Sequence, residues 1–259
     1  MKIERLGGGI TNRNYKLTAG GESFVLRIGG NDTGQLGIDR TMEHAASVNA
    51  AALGIGPQVV DFLEPEGFLI TRFVEGEPGR IDLEEALALL RRLHDGPPIP
   101  GRFDSFRVVE AYSELARPAK YDWAHGLAKR IEARLGVRPL VPCHNDLLPA
   151  NFIDDGDRLW LIDWDYAGFN SPLFDLGNLC SNNDVAEADE KWLLEAYFER
   201  LLTAEVWHRY QAMKCASLLR EAMWSMVAEH HSTLDFDYVA YTNDYLARFE
   251  RAYHGLKQL

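Results

Sequence analysis

The chain has 259 residues, 46% hydrophobic and 25% charged, the balance of a folded globular protein long enough for one large domain or two lobes around a cleft. Its formal net charge of −12 argues against nucleic acid and anionic membranes as partners, because both require basic surface; it favours solubility and is compatible with a cationic ligand. No apolar run approaches the ~20 residues of a membrane span, Met1-Lys-Ile-Glu-Arg lacks a signal peptide's apolar stretch, and Cys143, Cys180 and Cys215 form no Cys-x-x-Cys pair, so a cytoplasmic location with free thiols is expected.

In chain order, the first 75 residues read as a small β-rich lobe. Gly7-Gly-Gly-Ile-Thr11-Asn12-Arg-Asn14 stands before a strand, where glycines permit close backbone approach and successive N–H groups can line an anion site; a flexible turn has the same composition. Tyr15-Lys-Leu-Thr and Ser23-Phe-Val-Leu-Arg27-Ile predict a hairpin turned by Ala19-Gly-Gly-Glu. Residues 39–53 predict a helix stopped by Gly54. Gln58-Val-Val-Asp-Phe-Leu and Gly67-Phe-Leu-Ile-Thr-Arg-Phe-Val predict two further strands, and Glu75-Gly-Glu-Pro-Gly breaks the pattern as a hinge. Beyond it helical signals dominate. Asp82 precedes Leu83, Ala86, Leu87, Leu90 and Leu93 on one face, with Glu85 at the capping-box position. Residues 121–135 are amphipathic, the strands near residue 150 are short, and residues 186–259 are almost wholly helical in character. A small β lobe (1–75) followed by a larger, mainly helical lobe (76–259) is the layout of an α+β, bilobal, protein-kinase-like fold.

The segment richest in chemistry is His144-Asn-Asp146-Leu-Leu-Pro-Ala-Asn151, followed by Leu159-Trp-Leu-Ile-Asp163-Trp-Asp165. His-x-Asp, an Asn five positions after the Asp, and a second Asp ending an apolar run is the spacing of a phosphotransferase catalytic loop. Phosphoryl transfer needs a carboxylate to orient the attacking hydroxyl and take its proton, and oxygen ligands from two places to hold Mg²⁺ on the nucleotide phosphates. Asp146 suits the first task; Asn151 and Asp163 suit the second. His144 is read as a structural histidine that shapes the loop.

On these residues the chain resembles the choline/ethanolamine kinase branch of the aminoglycoside-phosphotransferase-like superfamily, which has a kinase-like fold; the resemblance runs along nearly the whole chain. It implies an enzyme that uses ATP and Mg²⁺ to phosphorylate the hydroxyl of an amino alcohol, with Asp146 as catalytic base and Asn151 and Asp163 at the metal. The glycine loop matches the Gly-Gly-(Leu/Met)-(Thr/Ser)-Asn loop of choline kinases, which makes Gly9, Thr11 and Asn12 nucleotide contacts. Arg27, ending Phe24-Val-Leu-Arg, stands where protein kinases have Lys and choline-kinase relatives commonly have Arg; its fork of donors can hold phosphate and carboxylate together, with Glu43 as its partner. The strand ending Thr71-Arg72-Phe73-Val74 becomes the hinge, whose backbone at Arg72 and Val74 would face an adenine. Asp165 occupies a position often acidic in the superfamily and serves metal or substrate. Asp175, in Leu173-Phe-Asp-Leu-Gly-Asn, resembles a residue that braces the catalytic loop. Glu221, Trp224, Tyr238 and Tyr241 fall where choline kinases build an aromatic pocket around an ammonium, a geometry that favours a cation by about 0.5–2 kcal/mol.

The chain also departs from that pattern. Choline kinases continue the Phe-Asp-(Ile/Leu)-Gly-Asn motif into an acidic segment, whereas here Leu179-Cys-Ser-Asn182-Asn183 follows. An aromatic residue expected three positions before Trp224 is Glu221. Either one carboxylate has moved across the cage, or the acceptor is a primary amine that prefers carboxylates to a full aromatic box. Within the superfamily an aminoglycoside, thiamine or sugar kinase is the alternative; from a different class, a catalytically silent nucleotide-binding or scaffold protein is.

Overall fold

A computed structural model describes residues 1–7, 11–30, 33–79, 81–116, 122–136, 139–232 and 236–258. Gly9 and the stretch Thr233-Leu-Asp lie outside the described residues. Five strands, β1 (Lys2–Arg5), β2 (Asn12–Ala19), β3 (Glu22–Gly29), β4 (Val59–Leu63) and β5 (Phe68–Arg72), form an antiparallel sheet in the order β1-β2-β3-β5-β4. The expected hairpin is present: Gly20 and Gly21 turn it at φ 62° and 85°, the left-handed pair that a two-residue hairpin turn demands. Helix α1 (Arg40–Ala52) joins β3 to β4, and Asp39 caps it by accepting from the N–H groups of Thr41 (2.9 Å) and Met42 (3.2 Å). Its buried residues are Glu43, Ala46, Ser47 and Ala50; small residues there let the helix lie close and turn one carboxylate inward. The helix stops before Gly54, at φ 65°.

The rest of the chain is mainly helical: α2 (Leu83–His94), α3 (Ser105–Leu115), α4 (Asp122–Glu132), α5 (Pro172–Asn182), α6 (Glu187–Phe198), α7 (Ala204–His231) and α8 (Tyr238–Gln258). It also holds two small sheets, the first of them at the junction with the β lobe. β6 (Glu77–Pro78), just past the hinge, pairs with β8 (Phe152–Asp154), which pairs with β9 (Leu159–Leu161). β7 (Val141–Cys143) pairs with β10 (Gly168–Asn170). Gly76 makes the first junction possible, because a Cβ there would sit 2.5 Å from the Asp154 carbonyl oxygen. Among the described residues no helix is long and apolar enough to cross a membrane.

Asp82 caps α2 as expected, through the N–H groups of Glu84 (2.9 Å) and Glu85 (3.0 Å). Two helices escape the sequence reading. Helix α3 is capped by Asp104 and buries Phe106, Val109 and Tyr112 at helical spacing, a signal that was missed. All of α5 is buried, so it has no polar face to set a period. Helix α7 is buried on all sides from Ala212 to Ala228 apart from Lys214, and it is the axle of the lobe.

Where α5 meets α7, Gly177 brings the two backbones together: a Cβ would lie 3.0 Å from the Lys214 Cα and N. Both neighbours are main chain and cannot swing aside. Gly177→Ala should therefore destabilise the protein by about 1–3 kcal/mol through overpacking, despite alanine's better helix propensity. Urea denaturation checks this; equal or greater stability would show that α5 and α7 separate freely.

Candidate active site

The His144–Asn151 loop leaves β7 and is held from below by α5. Asp175, fully buried in the first turn of α5, accepts the N–H groups of His144 and Asn145, each at 2.8 Å, and lies 3.1 Å from His94 Nε2. A carboxylate at a helix N-terminus is favoured by the helix dipole, and three partners satisfy a charge that burial alone would expel. The brace expected at Asp175 is thus in contact with the loop, and His94, overlooked in the sequence, extends it: its Nδ1 meets the Tyr197 hydroxyl at 2.8 Å.

Asn145 sits at φ 67°, a left-handed strain that Asn bears more readily than most residues but that must be held in place. Its amide donates to the carbonyls of Tyr166 (3.0 Å) and Gly168 (3.2 Å) and accepts from Asn170 Nδ2 at 2.9 Å. His144 is structural in its contacts. Nε2 lies 3.0 Å from the Ile162 carbonyl and Nδ1 accepts the Asp146 N–H at 3.2 Å, which requires the neutral Nε2–H tautomer, and burial holds the imidazole below its usual pKa. Cys143 is buried beside them, and burial pushes its thiol well up, so it packs as a protonated side chain.

Above the loop lies a network of carboxylates and guanidiniums that joins the lobes. Arg27 Nη1 donates to Glu43 (2.9 Å), Asp163 (2.7 Å) and Asp165 (2.8 Å). Arg40, which sequence reasoning missed, donates to Glu43 (2.6 Å), Asp165 (3.0 Å) and Asn12 Oδ1 (2.8 Å). Gly29 and Gly67 make room for its side chain, since a Cβ on either would stand 3.0 Å from it. Asn12 Nδ2 completes the set by donating to Asp165 Oδ2 at 2.8 Å. The predicted pair of Arg27 and Glu43 is therefore formed, whereas Asn12 and Asp165 spend their side chains across the lobe junction.

The charges follow from this geometry. Burial, then Asp165, pushes the Glu43 carboxyl up to about 7 against the pull of Arg27 and Arg40. Burial also raises Asp163, opposed by Arg27. At Asp165 burial is outweighed by Arg27, Arg40 and Asn12, which hold it below the usual carboxylate range.

Two cavities meet at this network. One, of about 280 Å³, runs under Gly7 and Asn14, past Arg27 and Glu43, and along Thr71, Arg72, Phe73 and Val74. The other, of about 110 Å³, is lined by Thr11, Asp146, Asn151, Asp163, Asp165, Arg220, Glu221, Trp224 and Tyr241. Asp163 and Ala150 line both. Asp163 has φ 69°, a strained value for a non-glycine residue and one found at functional sites. Asn151 Nδ2 donates inward to the Asp146 carbonyl at 2.8 Å, which leaves its amide oxygen, beside the Asp163 carboxylate, as the group available to the cavity. Two hard oxygens suit Mg²⁺.

Glu221, Trp224 and Tyr241 come together as expected: the Tyr241 hydroxyl donates to Glu221 Oε2 at 3.2 Å, and the Trp224 and Tyr241 rings meet edge-on at 5.8 Å. Tyr238 does not join the wall. It opens α8 and packs behind Trp224 at 6.1 Å, with its hydroxyl donating to Ser232 at 2.7 Å and its carbonyl accepting from Ser225 at 2.8 Å. Three residues on, Tyr241 is the tyrosine that reaches the cavity. Arg220, also missed, is buried between Glu221 and Asp146. Burial raises the Asp146 carboxyl, and Arg220 opposes that rise.

The model of the phosphotransferase enzyme family matches residues 2–213. Protein LicA of Haemophilus influenzae is 27% identical over 275 residues, covering 96% of this chain and all of the relative. Among solved structures, a choline/ethanolamine kinase family protein from Mesorhizobium loti is 29% identical with a TM-score of 0.79, covering 100% of this chain and 89% of its own. Choline kinase LicA from Streptococcus pneumoniae, 24% identical, superposes with a TM-score of 0.83 over 100% of this chain and 94% of its own, a likeness of fold. With the family matched over most of its length and the kinase-like architecture shared, the chain is a phosphotransferase and belongs to the phosphotransferase enzyme family.

Proposed function

We propose that the protein transfers the γ-phosphoryl group of ATP to the hydroxyl of a small amino alcohol of the choline or ethanolamine type, in a cleft between a lobe of residues 1–75 and one of residues 76–259. The observation that carries this reading is the pair of cavities sharing Asp163, one flanked by Gly7, Asn14 and the hinge, the other holding Asp146. A nucleotide in the larger cavity and an alcohol in the smaller would meet at that residue. The names of the similar proteins, choline kinase and choline/ethanolamine kinase family protein, agree with it.

In this reading Asp146 orients the acceptor hydroxyl and takes its proton, and Arg27 neutralises phosphate charge while Glu43 positions it. Arg72 and Phe73 spend their N–H groups on the carbonyls of Gln58 (2.8 Å) and Ser23 (3.1 Å), so the hinge donor to an adenine falls to Val74. Asn151 and Asp163 hold Mg²⁺, which when bound offsets the negative charge of the phosphates. Asp165, engaged by Asn12, Arg27 and Arg40, orders the lobe junction. A cavity of about 110 Å³ suits a small acceptor rather than an aminoglycoside. Glu221, whose Oε1 is ion-paired with Arg220 Nη2 at 2.8 Å, and the rings of Trp224 and Tyr241 suit an ammonium.

Asp146→Asn should lower turnover roughly 10²–10⁴-fold while ATP still binds, since Asn keeps the volume but cannot take the proton; steady-state kinetics with a panel of amino alcohols, thiamine and kanamycin checks both role and acceptor class. Near-wild-type turnover would remove Asp146 from the mechanism, and turnover of kanamycin alone would replace the acceptor.

Asp163→Ala should abolish the Mg²⁺ dependence of ATP binding as well as turnover, because Mg²⁺ usually binds through one or two carboxylates plus phosphates. Calorimetry of ATP with and without Mg²⁺ measures it; an unchanged Mg²⁺ effect would put the metal elsewhere.

Burial pushes the Glu221 carboxyl up to about 7, so near neutrality it is only partly ionised, and a cation binds its ionised form. Acceptor kcat/KM should therefore rise from about pH 6 to about pH 8 and fall back on acidification, as a raised carboxylate pKa requires. In Glu221→Gln the rise should flatten and acceptor KM should increase. A pH profile unaltered by that substitution would take Glu221 out of the acceptor site.

A further inference from the structure

Arg220 is among the largest fully buried side chains of the protein, at 1% exposure. Its guanidinium carbon lies 5.2 Å from the Tyr166 ring centre and 5.7 Å from that of Phe103. One nitrogen, Nη2, reaches three acceptors: the Asn145 carbonyl at 2.7 Å, Asp146 Oδ1 at 3.1 Å and Glu221 Oε1 at 2.8 Å, the last without hydrogen-bond geometry. The side chain comes from the buried middle of α7. A buried cation is retained only where it has partners, and two of these belong to the residue proposed as base and to the strained residue before it.

We infer that Arg220 is the positioning residue of the Asp146 carboxylate, holding one oxygen so that the other faces the acceptor hydroxyl, and the counter-charge that lets Glu221 share the cavity. The inference rests on the reading of Asp146 as base. The hold on the Asn145 carbonyl sets the backbone at Asp146, and the hold on Oδ1 sets its carboxylate. The aromatic walls stop the guanidinium from moving away, which a flexible ammonium at the same position would do. Removal of Arg220 would also leave Asp146 and Glu221 as uncompensated carboxylates in one small cavity, a pair that resists joint ionisation.

The test is a double-mutant cycle on the full chain with an amino alcohol that the wild type phosphorylates: Arg220→Lys, Asp146→Asn and the combination, with Arg220→Met as a second removal of the guanidinium. Melting temperature and ATP affinity report folding; kcat and the two KM values report positioning. Misplacement of a reacting group by about 1 Å can cost roughly 10²-fold, and that is the loss of kcat expected for Arg220→Lys, with ATP affinity within about twofold of wild type and a larger loss for Arg220→Met. In the Asp146→Asn background either substitution should lower kcat less than about threefold further, since a positioning residue has nothing left to position. Equal losses in both backgrounds, wild-type kcat in either Arg220 variant, or unfolding of both variants would overturn the inference and leave Arg220 a structural ion. Near-wild-type turnover of Asp146→Asn alone would instead overturn the underlying assignment of the base.

Discussion

Too many carboxylates meet in one buried place, and the structure depends on how they are neutralised. Glu43, Asp146, Asp163, Asp165 and Glu221 face Arg27, Arg40 and Arg220. Removing one partner from a buried pair typically costs about 3–5 kcal/mol, because the other charge is left uncompensated. Fully ionised, these five carboxylates and three guanidiniums carry 3 − 5 = −2 charges. With Glu43 and Glu221 pushed up to about 7 the deficit near neutrality is smaller, and the divalent metal and ammonium of the proposed ligands would favour the ionised forms. The same charges make the lobe junction, since Arg27, Arg40 and Asn12 come from the first lobe and Asp163 and Asp165 from the second.

Beneath this network the His144–Asn151 loop rests on two buried helices that present polar groups inward. Helix α5 offers Asp175 to the backbone of His144 and Asn145 and the Asn178 side chain to the N–H of Leu147. Helix α7 offers Ser217 to Asn178 at 2.8 Å and Arg220 to the loop. Polar residues in a core are expensive unless every one has a partner, and here the partners are loop atoms. The strained backbone at Asn145 and Asp163 is held by bonds from several elements, as such conformations need in order to persist.

The chain departs from the choline-kinase pattern at two places, Leu179-Cys-Ser-Asn182-Asn183 around the end of α5 and Glu221 in α7. Glu221 stands where an aromatic residue was expected, and its neighbour Arg220 faces Asp146. One substitution to a carboxylate in so small a cavity would be costly alone; beside a guanidinium it is compensated. The aromatic lining of the pocket comes from Tyr166, Trp224 and Tyr241, with Tyr238 behind Trp224.

What the sequence by itself determined is what depends on neighbours in the chain. The Gly20-Gly21 turn, the Asp82 cap and the stripe of α2 are short-range patterns, and all were legible. The spacing of Asp146, Asn151 and Asp163 was legible too, because one loop and one hairpin carry all three. Helix α3 was missed although its Asp104 cap and its Phe106, Val109 and Tyr112 spacing are local signals; α5 was not legible, since it is buried on every side. Arg40, His94 and Arg220 act across 125, 81 and 74 residues respectively, and each reads in sequence as an ordinary helix residue. Which of Tyr238 and Tyr241 lines the cavity depends on the rotation of α8 against α7. Long-range charge pairing and helix rotation are products of packing, so only the tertiary structure decided them.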